Sequence, residues 1–425
     1  MTPNPFFPGK PVPTESFIGR KSEINFAFDQ IYNRSHFAIW GGPGMGKSSF
    51  LRKLANKQIW TEYGLDPSQG IPVILNCQSQ NLIPFTPGGF WRESVSLLHD
   101  KLDSEPELQA EIKPLLEKTV TGDSLRQALR ILGRKNKFLL LLVDDFDAAL
   151  VTNNQYTENE METFLAQCRS LAVHAEESEH FSMIVASLQR LNELGPKLNP
   201  NASPWYNHYV FQPLTLFTTE ELVELLTIIR PPTLRHEIIN ITGGHPTLVQ
   251  TAGFFLYREL QNGNNANINS FAGNFERDTQ QIFQTIWHRC NPKEQVLLML
   301  IALLDIKGHI EELKFKLKGI GRIFTQDGRS LIRLQEQGVI VITSSAIETE
   351  KFYSFTSPLM KKWVIQEILQ TPEQSIRDRE KEFMNLMSHG QVNKVKEVVT
   401  WVGRNPQQVG SVLDWITKVV PLFPL

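Results

Sequence analysis

The hydrophobic pattern along the chain changes character near residue 213. Before it, short apolar runs alternate with longer stretches whose apolar residues recur three and four apart, the spacing of a helix face. Residues 36–40, 71–77, 138–143, 181–187 and 209–211 read as strands. Residues 47–60, 88–133 and 157–177 read as mostly helical, and in the first of these Phe50, Leu51 and Leu54 share one side. The run 138–143 is apolar at every position, as expected of a strand buried on both faces of a parallel sheet. Strands alternating with helices of this length predict an α/β layered domain with a parallel sheet.

After Pro213 the strands stop. Thr218 or Thr219, followed by Glu220 and Glu221, starts a helix that Pro231 and Pro232 end. Two more helices flank Gly243, Gly244, His245 and Pro246, and residues 262–269 read as a polar linker. Residues 291–304 and 326–337 are helical in pattern, 339–343 and 352–356 pair as a hairpin, and a helix follows over 358–368. Helices leading into a hairpin are what a winged-helix domain needs. The predicted organisation is an N-terminal arm with five prolines (1–15), an α/β core (16–213), a helical domain (214–280), a winged helix (281–370) and a helical C-terminal segment (371–425).

Composition narrows the class. The 425 residues are 41% hydrophobic and 21% charged, which suits several buried cores and excludes wholesale disorder. Three cysteines, Cys77, Cys168 and Cys290, form no CxxC and cannot make a disulfide framework, so a reduced, cytoplasmic setting is expected. The first residues lack the basic-then-apolar order of a secretory signal, and no apolar stretch approaches the length of a membrane span. Ten histidines are scattered without metal-ligand spacing. Net charge is −2, distributed as −6 over residues 1–280, +3 over 281–370 and +1 over 371–425. That excess is too small to argue for nucleic acid by itself.

The strongest chemical signal is the run Gly41, Gly42, Pro43, Gly44, Met45, Gly46, Lys47, Ser48, a complete GxxxxGK[ST] followed by Ser49. It lies between a predicted strand and a predicted helix. Glycines let the backbone curl so that its N–H groups and the helix N-terminus surround phosphates. Lys47 is then placed for the β and γ phosphates, and the Ser48 hydroxyl for Mg²⁺. About 100 residues later the apolar strand ends in Asp144 and Asp145. In a parallel sheet this end delivers carboxylates beside the phosphate loop, Asp144 for the Mg²⁺ shell and Asp145 to position or activate water. Two weaker strings frame these: Phe17, Ile18, Gly19, Arg20 before the loop, and Gly244, His245, Pro246 opening a helix.

Together these motifs resemble the STAND class of P-loop NTPases, relatives of the AAA+ ATPases, over roughly residues 10–370. The combination FIGR, GGPGMGKSS and GGHP is most similar to the prokaryotic and archaeal ATPase branch. The resemblance implies a P-loop NTPase core at 16–213, a helical lid at 214–280 and a winged helix at 281–370. It implies that Phe17, Ile18 and Arg20 lie beside the adenine, that Pro246 packs near the base, and that ATP or ADP binds with Mg²⁺. The sequence departs from that class in three ways. Arg190, the sensor candidate, stands three residues beyond Ser187 rather than directly after it. The winged helix has no Met-His-Asp motif. No repeat array follows residue 370.

Other features carry blander expectations. Lys314, Lys316 and Lys318 alternate with Phe315 and Leu317 and read as a solvated edge, and Trp40 as core. In the C-terminal segment Val409, Val412, Leu413, Trp415, Ile416, Val419 and Val420 follow helical spacing, suited to packing on the winged helix, to a partner or homotypic contact, or to membrane insertion after activation. Three functions are open. One is a slow ATPase switch, closed and monomeric with ADP, opening and oligomerising with ATP to signal. The second is a DNA-associated ATPase resembling archaeal origin-recognition proteins. The third is a nucleotide-bound scaffold without turnover.

Overall fold

The computed structural model describes residues 3–197, 203–230, 232–262, 268–307, 323–324, 326–344, 351–370, 379–387, 390, 392–393 and 395–397. The chain divides into two compact units. A sheet unit comprises Pro11–Gly41 and Gly46–Leu214; a helical unit comprises Met1–Lys10, Gly42–Met45 and Thr215–Leu425.

In the sheet unit, β1 (His36–Trp40), β2 (Gly70–Asn76), β3 (Phe138–Asp144), β4 (Phe181–Ser187) and β5 (Tyr209–Pro213) form one sheet in the order β2-β3-β4-β1-β5. Every pairing is parallel. Every residue of β1, β3 and β4 is buried, which is why β3 shows no polar alternation before its terminal aspartate. The helices of this unit are α1 (Lys21–Tyr32), α2 (Lys47–Ala55), α3 (Pro87–Asp100), α4 (Pro106–Leu116), α5 (Gly122–Arg134) and α6 (Glu158–Arg169). Helix α5 buries Leu125, Ala128, Leu129 and Leu132, the three-and-four spacing of its sequence. Thr157 and Glu160 close a reciprocal cap at the start of α6. Between α3 and α6, the Phe90 ring meets Phe164 edge-on at 5.0 Å.

In the helical unit, α7 (Thr219–Leu225), α8 (Pro232–Thr242), α9 (Pro246–Gln261) and α10 (Ile268–Arg289) come first. The Thr218–Glu221 cap expected from the sequence starts α7. Helix α10 runs through residues 268–269 of the expected linker and through the expected boundary at 280/281. Then follow α11 (Pro292–Lys307), α12 (Gly328–Glu336), β6 (Ile340–Ser344), β7 (Lys351–Phe355), α13 (Pro358–Gln370) and α14 (Glu380–Leu386). Strands β6 and β7 pair antiparallel, Ile340 opposite Phe355. Helix α11 is buried at every position from Val296 to Leu303, and α12, β7, α13 and α14 all pack on it. An all-apolar helix is stable in water only as such a centre.

The N-terminal arm is not free chain. Phe6 is buried and fills the space above Gly253 on α9, where an added Cβ would come within 2.4 Å of its ring. Asn4 Nδ2 donates to the Phe254 carbonyl at 3.0 Å, and the Phe7 N–H donates to Gln250 Oε1 at 2.9 Å. Lys314, Lys316, Lys318 and the Val409-to-Val420 stripe lie outside the described residues. Among the described residues no helix is long and apolar enough to cross a membrane.

Candidate functional site

Chain direction places the sheet-unit chemistry. All five strands run the same way, so residues at their carboxyl ends gather along one edge of the sheet. Trp40, Asn76, Asp144 and Ser187 each end a strand there. Directly after β1 the chain turns through Gly44 (φ +78°) and Gly46 (φ +88°), conformations that glycine adopts without strain. Lys47 then opens α2, and its buried Nζ donates to the Gly41 carbonyl at 2.6 Å, closing the loop on itself.

Ser48 and Asp144 are brought together. Burial pushes the Asp144 carboxyl up, opposed by a hydrogen bond from the Ser48 hydroxyl and by the nearby Lys47 ammonium, while Asp145 adds to the rise. A hydroxyl and a carboxylate in contact are hard oxygen donors of the kind Mg²⁺ takes, so these two side chains fit that ion. Asp145 has left-handed backbone, φ +51°, an uncommon conformation for a residue with a side chain. Its Oδ2 accepts from Asn76 Nδ2 at 3.1 Å, and its N–H donates to Asp144 Oδ1. Asp147 is half-buried, and both its oxygens accept from the Leu188 N–H at 3.0 Å. That contact anchors the segment leading to Arg190, whose guanidinium lies 4.7 Å over the Trp40 ring. Trp40 is 4% exposed and also meets Phe211 edge-on, in keeping with a core role.

Phe17 and Ile18 are half-buried, while Arg20 is 3% exposed. Gly19 and Arg20 both have positive φ, and Arg20 pairs with Glu23 at 3.4 Å. Ser49, expected in the phosphate run, turns its hydroxyl to accept the Val12 N–H at 3.0 Å.

The remaining predicted residues belong to the helical unit. Pro246 is buried at the first turn of α9, behind the N-cap residue His245. His245 Nε2 meets the Pro43 carbonyl at 3.1 Å, and a carbonyl accepts, so that nitrogen carries the proton. Thr247 donates twice to the Gly44 carbonyl, from Oγ1 at 2.8 Å and from its N–H at 3.2 Å. Residues of the predicted site thus divide between two units, Gly42 to Met45 in one and Gly41 with Gly46 onward in the other. Sequence reading missed Asn76, Asp147 and Thr247. Asn76 and Asp147 were findable only as polar residues at or just beyond the carboxyl end of a strand, and Thr247 only as the neighbour of the GHP string.

The parallel sheet, the glycine loop between β1 and α2 and the carboxylates after β3 define a P-loop NTPase fold with a helical C-terminal region. Among solved structures, the chain is similar to the Walker-type ATPase of Pyrococcus abyssi, with 14% identity and a TM-score of 0.54 over 82% of this chain and 96% of that one. It is also similar to the ORC2 protein of Aeropyrum pernix in its ADPNP–ADP complexes, with 13% identity and a TM-score of 0.52 over 87% and 97%. No protein-family model matches the chain, and no curated protein matches it. At these identities the likeness defines the fold.

Proposed function

We propose that the protein binds ATP and ADP with Mg²⁺, hydrolyses ATP slowly and works as a STAND-type switch. The observation that carries the reading is the pairing of the glycine loop and Lys47 with a Ser48–Asp144 contact at the carboxyl edge of a parallel sheet. The phosphate and cation roles rest on that geometry, and the sensor and adenine roles on the resemblance to the STAND class. Loop N–H groups and the α2 N-terminus receive phosphates. Lys47 neutralises their charge once it leaves the Gly41 carbonyl. Ser48 and Asp144 hold the cation, which offsets charge on the transferred phosphoryl group. Asp145, held by Asn76, orients the attacking water, and Arg190 is the sensor of the γ-phosphate. Phe17, Ile18, Arg20 and Pro246 receive the adenine end. In the switch, ADP holds a closed monomer, and ATP opens it to self-association.

The test has two stages. Nucleotide released by denaturing the purified protein is identified, and phosphate release is followed for wild type and Lys47→Ala. Turnover that Lys47→Ala leaves intact refutes the site. Light scattering after size exclusion then compares ADP with a non-hydrolysable ATP analogue, in wild type and Asp145→Asn. Equal masses in all four samples reject the switch and leave the ATPase.

The similarity to the ORC2 protein is nearly as strong as that to the Walker-type ATPase, and it favours a second reading, a DNA-associated ATPase. The +3 charge of residues 281–370 points the same way. Duplex DNA binding that weakens steeply with salt supports it, and no binding at about 50 mM salt removes it.

A further inference from the structure

The eight residues from Gly41 to Ser48 contain glycines of two kinds. At Gly46 an added Cβ would meet nothing within 4 Å, so only its φ of +88° demands glycine, and the open space suits an approaching phosphate. Gly44 is different. An added Cβ there would come within 2.6 Å of Thr247 Oγ1 and 2.9 Å of His245 Cε1. At Gly42 it would come within 2.3 Å of the Gln337 carbonyl oxygen, in the turn leading to β6. The next residue of that turn, Gly338, lacks a Cβ where the Met45 methyl sits, and Met45 is 1% exposed. The middle of the loop is therefore packed by the helical unit, and its composition answers to that packing.

The hydrogen bonds have a direction that matters. In a trans peptide the carbonyl and the following N–H point to opposite sides. Donors from His245 and Thr247 take the Pro43 and Gly44 carbonyls, and so fix the planes of the peptides that carry the Gly44 and Met45 N–H groups. Fixing those planes before a ligand arrives removes part of the ordering cost that binding otherwise meets.

We propose that Thr247 and His245 are positioning residues that preorganise the phosphate loop, so that nucleotide affinity and docking of Gly42 to Met45 in the helical unit are one coupled equilibrium. The inference rests on the nucleotide reading above. Coupling is reciprocal: whatever factor docking adds to nucleotide affinity, bound nucleotide returns to docking.

The experiment uses the full chain and a fluorescent ADP analogue as probe. Thr247→Val removes the hydroxyl donor at nearly constant volume, and Thr247→Ser keeps it. Thr247→Val is expected to weaken ADP binding about five- to tenfold, the worth of one hydrogen bond, and Thr247→Ser to restore most of it. In the wild type, ADP is expected to slow hydrogen exchange at the Thr247 N–H, which bonds to the Gly44 carbonyl. A purely structural threonine would lower the melting temperature of Thr247→Val and leave affinity alone. Equal or tighter ADP binding by Thr247→Val, or an exchange rate at Thr247 indifferent to ADP, overturns the coupling while the nucleotide reading stands. Should Thr247→Val fail to fold, the exchange measurement on the wild type decides. A wild type that takes up no ADP refutes both.

Discussion

Asn76 Nδ2 reaches Asp145 Oδ2 from the end of the neighbouring strand and fixes which way that carboxylate faces. A water-orienting group works only within a narrow range of positions, so Asn76→Ala is expected to cut the ATP turnover rate about tenfold with ADP affinity changed less than about twofold. Steady-state kinetics with a direct binding titration checks the split, and a loss confined to affinity contradicts it. His36 makes a second residue-scale prediction. Its Nδ1 accepts the Met183 N–H and its Nε2 meets the Ala172 carbonyl, so the ring is held neutral. Burial lowers its pKa from 6.5 to about 4, and burial with His36 at 5.6 Å lowers that of His208 to about 3. Between those values and 6.5 the unfolded chain binds protons that the native chain refuses. Stability is then whole above pH 6.5 and drains away as pH falls toward 4, by up to about 3 kcal/mol from His36. Urea unfolding at pH 7 and pH 4.5 measures the drop, and a native His36 titrating near 6.5 by NMR disproves its cause. The local sequence says little of what either residue does, because each acts through a partner brought from another part of the sheet unit.

Elements were far more legible than these contacts. The strands at 36–40 and 181–187 are found as read, because a strand buried on both faces is mostly apolar with no polar alternation to compete. Cap residues at Thr218 and Thr157 likewise mark helix starts by side-chain chemistry that needs only four residues. The five prolines of the arm mark it as a segment apart, and nothing in them foretells its docking. Its anchor is one phenylalanine meeting one glycine, Phe6 over Gly253, separated by most of the chain. Helix α10 hid its start for a related reason. Ile268 and Asn269 fall in the expected linker, yet they begin a helix whose Phe271 and Phe275 rings stack at 5.8 Å. Tertiary burial overrides such weak local preference. Removing the arm's anchor is expected to cost about 3 kcal/mol in Phe6→Ala, a full-sized buried aromatic lost from a site backed by helix backbone. Chemical denaturation checks it, and a change below about 1 kcal/mol shows that the arm only rests on α9.

At the scale of the whole molecule, the question is what one ligand can do to a chain whose motif residues belong to two units. Lys47, Ser48 and Asp144 are sheet-unit residues, while Gly42 to Met45 and Pro246 are helical-unit residues. A ligand that engages only the first set stabilises the sheet unit alone, and thermal unfolding then separates into a shifted transition and an unshifted one. A ligand that also draws on the second set stabilises both, and the transitions move together. At about 100 times its dissociation constant, a ligand specific for the native state adds about 2.7 kcal/mol. Calorimetry of the full chain with ADP and Mg²⁺ is expected to show the whole unfolding endotherm moving upward in the wild type. The endotherm of Lys47→Ala is expected to stay in place. Thr247→Val separates the remaining possibilities, since it leaves the phosphate-facing residues untouched and removes only a donor to the loop. With that variant the shift is expected to shrink for the part of the endotherm belonging to the helical unit. A full shift there would mean that the helical unit senses nucleotide by a route other than the loop's own backbone.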